Sequence, residues 1–104
     1  MSFYMVAGTV DWGQGTRPLI EALKRQQLDC ALEDDEILID DPEAELSLRP
    51  GFAHQWILVG DAGTQAALLA AVQRLSAALE GMDIRHAFEL HSPDNRLIGE
   101  VGSA

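Results

Sequence analysis

The sequence predicts an α/β protein of the α+β kind: a two-layer sandwich with two helices on one face of a mixed, mostly antiparallel sheet. Three observations carry this. The pattern strand, helix, strand, strand occurs twice, in halves of about 1–50 and 51–104, with Gly15-Thr16 and Gly63-Thr64 opening the two helices at an offset of 48 residues. Each helix has an apolar stripe that it cannot bury alone, and a sheet is the surface that receives it. At 104 residues there is room for one hydrophobic core, so the chain reads as a single domain over 1–104.

In the first half, Phe3 to Val10 is apolar on both parities, which predicts a strand covered on both faces. Asp11-Trp12-Gly13-Gln14-Gly15 breaks it. Thr16 is the expected N-cap of a helix from about Arg17 to Leu28, with Pro18 in its first turn and Lys24 and Arg25 near its C-terminal end. Leu19, Ile20, Leu23 and Leu28 form the stripe. Cys30–Leu32 and Ile37–Ile39 read as short strands around the acidic turn Glu33-Asp34-Asp35-Glu36. Leu46-Ser47-Leu48 alternates and adds a further short strand, an exposed edge at which two copies could pair.

The second half follows the same plan. Gln55–Val59 reads as a buried strand, and Thr64 caps a helix to about Glu80, whose stripe is Leu68, Leu69, Val72, Leu75 and Leu79. Gly81 is the expected residue just past its end. Ile84 to His91 alternates with Ile84, His86, Phe88 and Leu90 on one face, and Arg96 to Val101 returns after the Ser92-Pro93-Asp94-Asn95 turn. A ferredoxin-like sheet is the nearest named arrangement. A paired βαβββ arrangement, as in the glyoxalase superfold, is the alternative if Leu46–Leu48 is a true strand.

Net charge is −10 and is concentrated in one segment. Nine acids and no base fall among the seventeen residues from Asp29 to Glu45, whereas the remaining 87 residues hold eight acids and seven bases. Such a field repels nucleic-acid phosphates and anionic lipid, and it attracts a basic partner. Glu33, Asp34, Asp35, Glu36, Asp40, Asp41, Glu43 and Glu45 are therefore the candidate partner-binding residues, and Arg85, Glu89 and His91 are a secondary candidate surface. Packing like charges this densely costs self-repulsion that a bound cationic partner relieves.

Catalytic chemistry finds little support. The Gly13-Gln14-Gly15-Thr16 loop lacks both dinucleotide spacing and a P-loop lysine, so a tight turn with a helix cap accounts for it. His86 and His91, five positions apart, point to opposite faces of one strand and cannot chelate together; His86 belongs with the core and His91 with Glu89 and Arg85. Cys30 has acidic rather than basic neighbours and reads as structural. One cysteine excludes a disulfide-stapled scaffold, and with no basic-then-apolar leader and no membrane-length apolar run the expected compartment is the cytoplasm. No metal, cofactor or enzymatic activity is expected.

Two classes of function remain. One is a binding protein that occludes a basic surface of a toxin, nuclease or other enzyme, or an acidic nucleic-acid mimic with the same features. The other is a small-molecule enzyme or sensor with a ferredoxin-like or glyoxalase-like pocket. The inner strand faces are apolar apart from His86, which favours the first. The small size, the acidic balance and the closing hairpin Arg85-His86-Ala87-Phe88-Glu89-Leu90-His91-Ser92-Pro93-Asp94-Asn95-Arg96-Leu97-Ile98 resemble the cytoplasmic immunity proteins that bacteria pair with secreted polymorphic toxins. Those proteins share no common fold, so the resemblance implies a role, one-to-one neutralisation of a cognate toxin, and transfers no site residue.

Overall fold

Where apolar residues alternate, the chain forms strands β1 (Tyr4–Asp11), β2 (Cys30–Glu33), β3 (Glu36–Ile39), β4 (Ala44–Pro50), β5 (Gln55–Ala62), β6 (His86–His91) and β7 (Leu97–Gly102). Where the period lengthens, it forms helices α1 (Thr16–Arg25) and α2 (Gln65–Gly81). The computed structural model describes residues 2–102. Among these, all seven strands join one sheet in the order β2-β3-β4-β5-β1-β6-β7. Every neighbouring pair is antiparallel, so the sheet is not mixed. β5 is the central strand, β1 lies between β5 and β6, and α2 carries the chain from β5 to β6 across it.

β4 is a full strand hydrogen-bonded on both sides, to β3 and to β5, which removes Leu46–Leu48 as an exposed edge. The edges are β2 and β7. The two halves are consequently unequal: three strands follow α1 before the second half begins, and two follow α2. The sheet also exceeds the βαββαβ pattern of a ferredoxin-like unit.

One face of the sheet supplies the core. Val6 and Val10, Leu46 and Leu48, Trp56 and Leu58, and Phe88 and Leu90 all alternate onto it, and they are buried against Leu19 and Leu23 of α1 and Leu68, Val72, Leu75 and Leu79 of α2. Gly8 and Gly60 lie on the same face, where they leave room for larger neighbours. A Cβ at Gly8 would stand 2.6 Å from Phe88 Cδ1, and one at Gly60 would stand 2.5 Å from Leu46 Cδ2.

β1 is covered on one side only. Val6 and Val10 are buried, while Met5 and Ala7 are exposed, because both helices take the same face. The same holds for β5, where Trp56 and Leu58 are buried and Ile57 is 41% exposed.

The helix ends differ in how they are made. Thr64 caps α2 as its sequence position predicts, its hydroxyl accepting from the Ala67 N–H at 3.1 Å. Thr16 instead is the first helical residue of α1; Gly15 takes the cap position at φ 93°, a conformation that glycine enters at little cost, with no side-chain cap bond. At the far end of α2, Gly81 is still helical and Asp83 takes the left-handed conformation at φ 55°. A Cβ at Gly81 would lie 2.9 Å from the Gln26 side-chain oxygen, a contact that the exposed glutamine can relieve by turning aside.

Candidate interaction surface

One face of the sheet is left without a covering layer among the described residues. Strand register aligns its side chains into three rows. The middle row runs Leu38, Ser47, Val59, Ala7, Glu89, Glu100 from β3 to β7. On one side of it lie Glu45, Asp61, Met5 and His91, and on the other Arg49, Ile57, Thr9 and Ala87. Because Ser47, Val59 and Ala7 are small and flanking Met5 and Ile57 are larger, the middle of the face is hollow. A hollow of about 760 Å³ is lined by Leu38, Ser47, Val59, Met5, Asp61 and His91 among others. A second, of about 700 Å³, continues past Ala7 to Ile57, Ala87, Glu89 and Glu100.

Two pairs of carboxylates stand directly opposite one another on this face: Glu45 on β4 against Asp61 on β5, and Glu89 on β6 against Glu100 on β7. Like charges facing each other across a strand pair are destabilising, by roughly 0.2–1 kcal/mol per pair. None of the four carboxylates has a lysine or arginine within ion-pair distance among the described residues; Glu89 has only His91 Nε2 at 3.7 Å. The Nδ1 of His91 is buried and makes no hydrogen bond. Val59 and Ala7 make the centre of the face apolar; the carboxylates lie to one side of it and toward β7, and Arg49, on the other side, is ion-paired with Glu36.

The eight acids singled out from the sequence do not form one surface. Glu33, Asp34, Asp35 and Glu36 make the β2–β3 hairpin, whose central Asp34 and Asp35 both have positive φ, 48° and 66°. Asp40, Asp41 and Glu43 lie at the opposite end of β3, separated from that turn by about 13 Å of strand. Of the eight, Glu45 stands in a strand row of the open face, and Asp40 and Asp41 reach the same hollow from the end of β3. Glu36 is ion-paired with Arg49 on the neighbouring strand.

Asp41 is engaged within the chain. Its side chain is 4% exposed, its carboxylate accepts the Glu43 and Ala44 N–H groups at 3.0 Å each, and it is ion-paired with Arg74 of α2. Burial alone would raise its pKa, but the Glu43 N–H, the Arg74 guanidinium and the Ala44 N–H together outweigh burial and hold the carboxyl below its ordinary value. Asp41 thus closes the β3–β4 turn and ties it to α2.

Of the secondary candidates, Glu89 and His91 join the open face, whereas Arg85 precedes β6 at its other end, its carbonyl accepting from the Asp11 N–H. His54 is also remote, in the β4–β5 turn with its ring against Gly13. Among the described residues, no three His, Cys, Asp or Glu side chains converge to hold a metal ion. Cys30 is buried, and burial pushes its thiol pKa up, with Lys24 opposing and Asp29 adding to the rise.

The sequence reading missed Asp61 and Glu100 as site residues, along with the apolar floor between them. It missed Phe52 as well. That ring is 91% exposed at the tip of the β4–β5 turn, where Ala53 and His54 both adopt left-handed φ, 55° and 64°, and the Gln55 N–H closes on the Phe52 carbonyl at 3.1 Å. The turn is held from below by the Trp12 N–H, which donates to the His54 carbonyl at 2.9 Å.

Among the described residues no helix is long and apolar enough to cross a membrane. Comparison of the chain with protein-family models, with curated proteins and with solved structures finds no match.

Proposed function

We propose that this protein is a binding module that inhibits a basic macromolecular partner by docking the open face of its sheet against it. In its specific form this is an immunity protein that neutralises a cognate bacterial toxin in the cytoplasm. One observation carries the binding reading: two opposed carboxylate pairs, Glu45 with Asp61 and Glu89 with Glu100, stand around the apolar Val59–Ala7 centre of a sheet face that the chain itself leaves uncovered. An apolar centre with a charged rim is the usual anatomy of a protein interface, and a rim of one sign selects a partner of the other. A second copy of this chain fits poorly, since it would bring the same carboxylates face to face. The toxin-directed form rests on the resemblance in size, acidity and closing hairpin.

The test is kinetic. A partner recovered from the producing cells should associate fast at low salt and slow markedly as ionic strength rises, because screening shortens the steering range from about 30 Å at 0.01 M to 8 Å at 0.15 M. Reversing Glu45 and Glu89 to lysine should cut the association rate by about tenfold or more, while Asp34→Lys with Asp35→Lys, at the hairpin tip, should have a smaller effect. A partner whose association ignores both salt and the Glu45 and Glu89 reversals would overturn the reading.

A further inference from the structure

Resting on that reading, the geometry points to a particular shape of partner: the open face is a trough for one amphipathic, basic α-helix lying across the strands. The floor of the trough is the middle row, with Ser47, Val59 and Ala7 at its centre. The rows on either side stand two residues away along each strand, so the walls are about 13 Å apart. A helix with its side chains is roughly 10–12 Å across. From β3 to β7 the trough crosses five inter-strand gaps, about 24 Å, which a helix of roughly 16 residues spans.

The trough is acidic on one wall and at its β7 end, while the opposite wall carries Arg49, Ile57, Thr9 and Ala87, so it matches a helix whose basic residues lie along one flank and at one end. Leu38, Val59, Ala7 and Ile57 offer an apolar bed for its hydrophobic stripe. Glu45 and Asp61 on one wall, and Glu89 and Glu100 at the β7 end, lie where lysines and arginines flanking that stripe would reach. An extended segment is a poorer fit. It would engage a sheet by backbone pairing at an edge, and the strands under the trough are interior with both ladders made, β7 at its far end excepted.

The probe is a synthetic lysine–leucine peptide of roughly 16 residues with leucines at i, i+3, i+4 and i+7, against a second peptide of the same composition with leucine and lysine alternating. Each is titrated into the isotopically labelled full chain, and the amide shifts of the chain are followed. The helical peptide should bind, with its shifts confined to the Ser47, Val59, Ala7 and Glu89 region. Its affinity should fall about tenfold in Val59→Lys, with Ser47→Lys as a second variant should the first be misfolded; Asp34→Lys with Asp35→Lys should change it far less. Equal or tighter binding of the alternating peptide, or shifts centred on the Asp34–Asp35 turn, would overturn the helix inference and leave the basic-partner reading standing. Failure of both peptides to perturb the open face would overturn the trough as well, and the kinetic test with the recovered partner would then judge the broader reading separately.

Discussion

Ser76 of α2 and His86 of β6 are joined by a buried hydrogen bond, Oγ to Nε2, of 2.7 Å. The other ring nitrogen, Nδ1, lies 2.9 Å from the Ile84 carbonyl, which only accepts, so Nδ1 carries the proton and in the neutral ring Nε2 accepts from the Ser76 hydroxyl. The ring is 4% exposed and packs at 5.1 Å, centroid to centroid, on Phe88. This is a structural histidine that locks the long helix to the sheet. Replacing it with alanine should destabilise the fold by about 1–3 kcal/mol, through the cavity and the lost bonds. Ser76→Ala should cost about 1–2 kcal/mol. Denaturant unfolding measures both, and an unchanged midpoint for His86→Ala would contradict the assignment.

Asp41 makes acid stability depend on one turn. Its folded-state pKa is lowered, so the stability it contributes is fully present above the ordinary carboxylate value of about 3.9 and is lost as pH falls through the lower folded value. Asp41→Ala should therefore destabilise the protein at pH 7, and the gap between variant and parent should narrow as the pH is taken below about 4. Arg74→Ala should cost less, about 0–1 kcal/mol, because the guanidinium is half exposed and solvent screens it. Unfolding curves at several pH values read both effects. A gap that widens in acid would contradict the sign.

The turn beneath Phe52 stores backbone strain. Alanine in the left-handed region costs roughly 1–2 kcal/mol, which glycine avoids while giving back part of the gain through the freedom of its unfolded chain. Ala53→Gly should raise stability by about 0.5–1 kcal/mol, measurable as a higher unfolding midpoint. A loss of stability would show that the Ala53 methyl group makes a contact worth more than the strain.

Much of the fold was legible because local patterns set it. The stripe of α2, the Thr64 cap, the acidic hairpin and the burial of His86 all follow from spacings within one element. What escaped depends on partners distant in sequence. Met5 and Ala7 look like core residues, and nothing local says that both helices choose the other face. Glu45 meets Asp61, and Glu89 meets Glu100, only through strand register, which the sequence does not state. The acidic segment looked like one surface because its residues adjoin along the chain; strand β3, folding in the middle of it, carries the two groups to opposite ends. Asp41 looked like its neighbours and is instead consumed by the turn and by Arg74.

We propose that the open face retains opposed carboxylates at a cost to the free protein because a basic partner uses them. Neutralising one member of each pair, Glu45→Gln with Glu89→Gln, tests it most directly, by denaturant unfolding of the free chain alongside association with the recovered partner. The double variant should be more stable than the parent, by about 0.5–2 kcal/mol over the two pairs, and should bind its partner more slowly and less tightly. A variant that is less stable, or one that binds as the parent does, would contradict it.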